Sequence, residues 1–199
     1  KIYYIINNKF MHYGEFYLEK NSSFNKILSI ISKPSNLLNK ITIIEGWSKE
    51  QLNNELSKYF TNIYEIQYED IIADTYFYEK NKTFDSFVQK LIKTKNNYFN
   101  KLNQSKLLQN YSNNEIVIIG SLIEKEGLDY EDKQKISSVI FNRININMKL
   151  QIDATVIYAI TEGNYNLNRK LLISDLSIDH PFNTYKYYGL PPKPISYVG

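Results

Sequence analysis

The amino-acid sequence predicts an α+β fold in which small strand–helix units precede a mainly helical part. A weak internal repeat supports the first half of this prediction, because "GEFYLEKNSSFNKILSII", starting at Gly14, aligns with "DTYFYEKNKTFDSFVQKL", starting at Asp74. The second half rests on apolar residues at helical spacing after Tyr111, where no cluster of strands is predicted. With 199 residues, 43% of them hydrophobic, the chain can form one large domain or two small ones.

Each copy of the repeat is typical of a short aromatic strand, a Glu-Lys-Asn turn and an amphipathic helix. A hydroxyl residue precedes each helix as the predicted N-cap, Ser22 or Ser23 in the first copy and Thr83 in the second. The apolar positions of the two helices correspond, namely Phe24, Ile27, Leu28 and Ile31 with Phe84, Phe87, Val88 and Leu91. The N-terminal region is therefore expected to consist of small strand–helix units.

The segment between the two copies predicts a further strand and helix. Residues 41–44 have the pattern of a buried strand, Gly46 permits a turn, and Ser48 with Gln51 forms a capping box. A polar stretch rich in Lys and Asn, residues 93–111, then predicts an exposed linking helix. We place a domain boundary at its end, which gives an accessory region at residues 1–111 and a second region at 112–199.

The second region is predicted to start with two consecutive helices. Ser112, with Glu115 three residues later, forms a capping box ahead of the apolar run "IVIIGSLI", and Gly127 ends that helix. Asp129 begins the next helix, and Asp132 completes its first turn. The tail "GLPPKPISYVG" is expected to be extended or turning, because its three prolines exclude a helix.

Composition narrows the classes of function. A net charge of +3 is too small to argue for nucleic-acid binding, and the absence of Cys excludes disulfides and thiolate sites. Only two His residues are present, which argues against a multi-histidine metal site. No apolar run is long enough to span a bilayer. The sequence opens at Lys1 rather than Met, so we expect an upstream signal or membrane anchor in the full-length protein.

Two glutamates end the apolar run in "SLIEKEG", and a carboxylate near an apolar face is costly unless it is paired, protonated or functional. Residues two apart on a helix point about 200° from each other, so Glu124 and Glu126 do not share a face. Periodicity alone does not choose between them. The structural alternative is a helix-end carboxylate paired with Lys125 or Arg143.

Amides and aromatic residues accompany these glutamates. "VIFNRI" contributes Asn142 and Arg143, "LQIDATVIYAI" contributes Gln151 and Asp153, and "HPFNTYKYYGLPPKPIS" follows. Amides hydrogen-bond hydroxyl groups, aromatic rings stack on sugar faces, and a Glu in a partly apolar pocket keeps its proton near neutral pH. This set of residue types suits a neutral polysaccharide.

The order of these motifs resembles the endolytic murein transglycosylase (YceG-like) family. "ITIIEGWSKEQL", "DTYFYEKNKTF", "SLIEKEG", "VIFNRININMKLQIDATVIYAI" and "DLSIDHPFNTYKYYGLPPKPIS" follow one another along nearly the whole chain. The resemblance implies a LysM-like strand–helix module followed by a mainly helical, lysozyme-like catalytic module. It also implies a lytic transglycosylase that cleaves the β-1,4 bond between N-acetylmuramic acid and N-acetylglucosamine, leaving 1,6-anhydromuramyl ends and using no cofactor.

The resemblance further assigns residues and a location. Its general acid falls on Glu124, kept protonated by apolar neighbours, with Glu126 as the alternative acid. Seven residues are implied to bind substrate: Asn142, Arg143, Gln151, Asp153, Asn183, Thr184 and Tyr185. The implied location is the extracytoplasmic face of the bacterial inner membrane, reached through an N-terminal anchor outside this chain. The implied partners are peptidoglycan strands, cell-wall synthases and division proteins, and not nucleic acid.

Two other functions remain open at this point. A non-catalytic peptidoglycan-binding scaffold of the cell-wall machinery would share the fold and leave Glu124 silent. A metal-dependent nuclease would use Glu124, Glu126 and Asp153 as ligands, with Lys and Tyr side chains gripping the strand. The divergent directions of the two glutamates and the small net charge argue against the nuclease.

Overall fold

The computed structural model describes residues 10–12, 14–35, 37–79, 82–102 and 108–199. Within these ranges the chain forms six α-helices and one two-stranded sheet, which confirms the α+β class. The elements are α1 (Phe24–Ile31), β1 (Leu38–Thr42), α2 (Lys49–Leu56), β2 (Thr75–Glu79), α3 (Phe84–Leu102), α4 (Asn113–Glu126), α5 (Tyr130–Asn145) and α6 (Asp153–Thr161), with 3-10 turns at Tyr68–Asp70 and Ile173–Ser177. None of the described helices combines the length and apolar character needed to cross a membrane.

Most helix starts lie where the sequence predicts them. The Ser48 and Ser112 side chains each accept from the backbone N–H three residues later, completing the two predicted capping boxes. Asp129 caps α5 in the same way, and Ser23 rather than Ser22 caps α1. The Gly127 N–H donates to the Ile123 carbonyl, so α4 ends at the predicted position. These caps satisfy backbone groups that a helix end would otherwise leave unpaired.

The predicted strand in the first copy of the repeat is wrong. Residues 14–19 belong to no strand, whereas the second copy supplies β2. The partner of β2 is β1, which runs antiparallel with Ile41 opposite Tyr76. A strand needs a partner for its backbone groups, and the described structure provides only this pairing. Lys80 and Asn81 of the second predicted turn lie outside the described residues.

The predicted linking helix is the continuation of α3. This helix runs without a break from Phe84 to Leu102, so the amphipathic helix of the second repeat and the polar stretch that follows form one element. Phe99 is buried against Val117 of α4, although its neighbour Tyr98 is exposed. Residues 103–107 lie outside the described ranges.

The C-terminal tail joins the hydrophobic clusters of the two regions. Ile195 packs in the cluster of α4 and α5, and Tyr197 packs in the cluster around the sheet. Val198 packs in a third cluster with Val117, Ile72 and Phe99. Tyr197 is fully buried, and its hydroxyl donates to the Ile66 carbonyl at 2.5 Å. The predicted non-helical conformation of this tail is confirmed.

Backbone hydrogen bonds from the C-terminal tail hold the turn at Gly46, which lies against the end of α4. Tyr197 accepts from the Gly46 N–H at 2.8 Å and donates to the Trp47 carbonyl at 3.1 Å. Gly46 has a φ of +78°, which a glycine adopts at little cost. A Cβ at that position would lie 3.4 Å from the Glu124 carbonyl oxygen, so the turn and the end of α4 are in direct contact.

Candidate active site

Glu124 lies in the last turn of α4 with its side chain 13% exposed. Its Oε2 atom accepts a hydrogen bond from Nζ of Lys133 in α5 at 2.5 Å. The close approach depends on Gly127, because a Cβ there would collide with Cγ of Lys133. The prediction that apolar neighbours surround the Glu124 carboxylate is therefore wrong, because the carboxylate contacts the ammonium group of Lys133.

Lys125 and Arg143, the basic residues expected as alternative partners of the glutamates, form hydrogen bonds with other groups. Lys125 donates from Nζ to the Gly46 carbonyl at 3.1 Å, and the Arg143 guanidinium donates to the Leu150 carbonyl. Both side chains thus satisfy backbone oxygens. Lys133 alone among the described residues forms an ion pair with Glu124.

The Glu124 carboxylate faces a cleft of about 860 Å³, which we call the Glu124 cleft. Its walls carry acids, an amide, hydroxyl groups and one aromatic ring. The lining residues are Glu45, Glu124, Asp129, Tyr130, Lys133, Gln134, Ser137, Ser138 and Gly199. An open cleft lined by these polar side chains suits a ligand with many hydroxyl groups better than an apolar one.

Glu45 brings the N-terminal region into the cleft. It occupies the turn next to Gly46, and its carboxylate has no hydrogen-bond or ion-pair partner among the residues that the structure describes. Sequence reasoning recognised the turn but missed Glu45 and Lys133 as site residues. No sequence signal marks either residue, because the close approaches at Gly46 and Gly127 that bring them to the cleft are contacts of the folded chain.

Glu126 belongs to a different group of residues. Its Oε1 atom accepts from the Ala154 N–H at 3.3 Å, at the start of α6, and it does not line the Glu124 cleft. The prediction that the two glutamates face different directions is confirmed. Beside Glu126, the Tyr185 hydroxyl donates to Oδ1 of Asp153 at 2.5 Å. This hydrogen bond, followed by burial, raises the pKa of Tyr185 to about 12.

Asn183 and Thr184 are buried and engaged in internal hydrogen bonds. The Asn183 amide donates to the carbonyls of Leu176 and Ile178, at 3.0 and 2.8 Å. The Thr184 hydroxyl accepts from the Ile152 N–H at 2.9 Å, and the Thr184 carbonyl accepts from the Gln151 N–H at 3.1 Å. Contact between these two side chains and a glycan would therefore require the loop to open.

The residues required by the nuclease hypothesis are not gathered into one site. Glu124 pairs with Lys133 in the cleft, whereas Glu126 and Asp153 contact Ala154 and Tyr185. Across the described ranges, no three His, Cys, Asp or Glu side chains lie close enough together to hold a metal ion. The three-carboxylate ligand set is thus not formed.

The Tyr185–Asp153 contact predicts a pH-dependent contribution to stability. The neutral hydroxyl is the donor, so its stabilisation is present below the ordinary pKa of 10.0 and is lost as pH rises through about 12. Tyr185→Phe should lower the free energy of unfolding by about 1 kcal/mol near neutral pH. Thermal melts should show this deficit narrowing between pH 10 and 12. Tyr188→Phe is the control, and a constant deficit for Tyr185→Phe would contradict the account.

The sequence profile of the YceG-like family matches residues 1–199. The chain belongs to the YceG-like family. The endolytic murein transglycosylase of Bacillus subtilis (strain 168) is 35% identical over 123 residues, which cover 62% of this chain and 33% of that protein. The protein of the same name from Streptococcus pneumoniae serotype 2 (strain D39) is 32% identical over 124 residues, covering 61% and 22%. The YceG-like chain thus matches a third or less of the length of these relatives.

The fold of this YceG-like chain is also similar to a solved structure. The 2.6 Å crystal structure of a yceG-like protein from Listeria monocytogenes aligns with a TM-score of 0.66, covering 100% of this chain and 76% of the other. The two sequences are 24% identical, so the likeness concerns the fold.

Proposed function

We propose that this YceG-like chain is the peptidoglycan-cleaving part of a lytic transglycosylase. The observation that carries the proposal is the position of Glu124, a mostly buried carboxylate that faces a polar cleft of about 860 Å³. The names of the matched relatives, endolytic murein transglycosylases, support peptidoglycan as the substrate. The bond cleaved is the β-1,4 link between N-acetylmuramic acid and N-acetylglucosamine.

In the proposed mechanism Glu124 acts first as an acid and then as a base. The protonated carboxyl gives its proton to the glycosidic oxygen as the bond from that oxygen to C1 of the muramyl residue breaks. The resulting carboxylate accepts the proton of the muramyl C6 hydroxyl while that oxygen bonds to C1. The products are a free N-acetylglucosamine hydroxyl and a 1,6-anhydromuramyl end, with no water consumed. Holding the C6 hydroxyl near C1 makes the second step intramolecular.

We assign a positioning role to Lys133. Its ammonium holds the Glu124 carboxylate and balances the charge that appears when the proton leaves. Six of the seven residues with predicted binding roles divide by environment, and the seventh, Asn142 of α5, lines a cavity other than the Glu124 cleft. Asn183 and Thr184 position the loop, whereas Arg143, Gln151, Asp153 and Tyr185 support the segment around the start of α6.

Replacement of Lys133 should separate this role from a purely structural one. Lys133→Gln should lower kcat by about ten-fold, because a charge-assisted hydrogen bond is lost, and Lys133→Arg should restore most of it. Initial rates of fragment release from peptidoglycan measure both effects. Lys135→Gln removes an exposed lysine of α5 outside the cleft and is the matched control. Equal rates for Lys133→Gln and Lys135→Gln would rule out the positioning role.

The proposed organisation follows the predicted boundary. Residues 1–111 form a LysM-like accessory region, and residues 112–199 form a lysozyme-like catalytic region. The protein acts on the extracytoplasmic side of the membrane, attached through an anchor outside this chain, and works beside cell-wall synthases and division proteins.

Digestion of purified sacculi tests the function against the scaffold alternative. A transglycosylase releases soluble fragments, whereas a scaffold sediments with the sacculi and releases none. Fragment release that requires Glu124 supports the proposal. Binding without release would favour the scaffold.

A further inference from the structure

A second cavity lies beside the Glu124 cleft along α5. It has a volume of about 760 Å³ and shares Ser137 and Ser138 with the cleft. Its other lining residues are Leu108, Asn110, Tyr111, Phe141, Asn142 and Asn145. The boundary between the two cavities is therefore formed by two small hydroxyl side chains, over which a chain can pass.

The second cavity carries the groups that bind sugars. The side-chain amides of Asn110, Asn142 and Asn145 have no hydrogen-bond partner among the described residues. Tyr111 and Phe141 form an edge-to-face pair with ring centroids 5.4 Å apart, which leaves an aromatic wall beside these amides. Unpaired amides beside an aromatic surface are suited to hydroxyl and acetamido groups and to the apolar face of a sugar ring.

The separation of the two cavities fits a polymer. Lys133 marks the Glu124 cleft and Asn142 marks the second cavity, and a helical rise of 1.5 Å per residue places them about 14 Å apart along α5. One ligand that touches both must therefore extend over more than a single sugar. A glycan strand has this extended form and a repeating set of hydroxyl and acetamido groups.

We propose that the second cavity is a distal glycan-binding subsite, occupied by the same strand that Glu124 cleaves. The strand passes over Ser137 and Ser138, and Asn142 and Asn145 bind sugar units away from the cleaved bond. This inference rests on the proposed function, because it takes peptidoglycan as the ligand. It adds that cleavage efficiency depends on strand length.

The test compares long and short substrates with the double variant Asn142→Ala/Asn145→Ala. On long uncrosslinked glycan strands, kcat/KM should fall by about ten-fold, the value expected for two lost hydrogen bonds. On fragments too short to leave the Glu124 cleft, kcat/KM should match the parent. Both asparagines are exposed, so thermal melts should show an intact fold. Asn114→Ala, an exposed position of α4 outside both cavities, is the matched control.

Two results would overturn the subsite. Equal losses on long and short substrates would mean that the asparagines act through the structure, and no loss on long strands would mean that the cavity is unused. Affinity for long strands in the Glu124→Gln background gives a readout without cleavage, and the double variant should weaken it by about the same factor. If the parent cleaves neither substrate, the transglycosylase proposal fails, while this binding measurement still decides the subsite.

Discussion

Glu124→Gln is expected to lower kcat for peptidoglycan cleavage by about 1,000-fold, within the range for loss of a general acid. The glutamine keeps the shape of the side chain but has no acidic proton to give to the glycosidic oxygen. The amide oxygen of the glutamine can still accept a hydrogen bond from the Lys133 ammonium, so the substitution should affect chemistry more than folding. Fragment release quantified by liquid chromatography gives the rate, and thermal melts check the fold.

Two further variants make this result specific. Glu50→Gln alters an exposed glutamate of α2 and should cleave like the parent. Glu126→Gln tests the alternative acid, which accepts from the Ala154 backbone and does not line the cleft. Loss of cleavage in Glu126→Gln, together with retained cleavage in Glu124→Gln, would transfer the acid role to Glu126 and contradict the proposed site.

Tyr197→Ala is expected to lower the free energy of unfolding by about 4 kcal/mol, in the range for truncating a buried aromatic residue. Tyr197 is fully buried, and its ring lies edge-to-face with Tyr68 at a centroid distance of 4.8 Å. It also holds the turn at Gly46 through two backbone hydrogen bonds. Alanine keeps those backbone bonds, so the expected loss comes from the ring, whose removal leaves a cavity beside Tyr68. Denaturant unfolding curves measure the effect.

A milder variant separates the contribution of the Tyr197 ring to stability from that of its hydroxyl group. Tyr197→Phe keeps the ring but leaves the buried Ile66 carbonyl without its donor, so we expect a loss of about 1.5 kcal/mol. Tyr17→Ala is the control, because Tyr17 is 68% exposed. If Tyr197→Ala changes the free energy of unfolding no more than Tyr17→Ala does, the tail does not join the two clusters.

Local structure could be predicted from the sequence because its causes are local. The capping boxes at Ser48 and Ser112 each depend on two residues three positions apart, and both form as predicted. Strand pairing depends on distant residues, which explains the wrong prediction for residues 14–19. Their aromatic pattern is that of a strand, but β1 and β2 pair with each other.

The residues of the candidate site likewise include some that could be predicted from the sequence and others that could not. The proposal of Glu124 as the acid follows from the resemblance carried by an ordered set of motifs, and its divergence from Glu126 follows from helix geometry alone. Glu45 and Lys133 could not be assigned from the sequence, because the turn at Gly46 and the close approach at Gly127 bring them to the cleft. The apolar run before Glu124 and the family resemblance implied an apolar setting, and neither could foresee the ammonium group supplied by the next helix. The burial of Asn183 and Thr184 likewise results from a loop that packs on α6.

The chemical identity of the new chain ends tests the central claim most directly. Peptidoglycan digested by the parent chain and by Glu124→Gln would be analysed by mass spectrometry. The account predicts 1,6-anhydromuramyl ends from the parent and none from the variant. Reducing muramyl ends from the parent would show that water attacks C1, and would contradict the intramolecular mechanism assigned to Glu124.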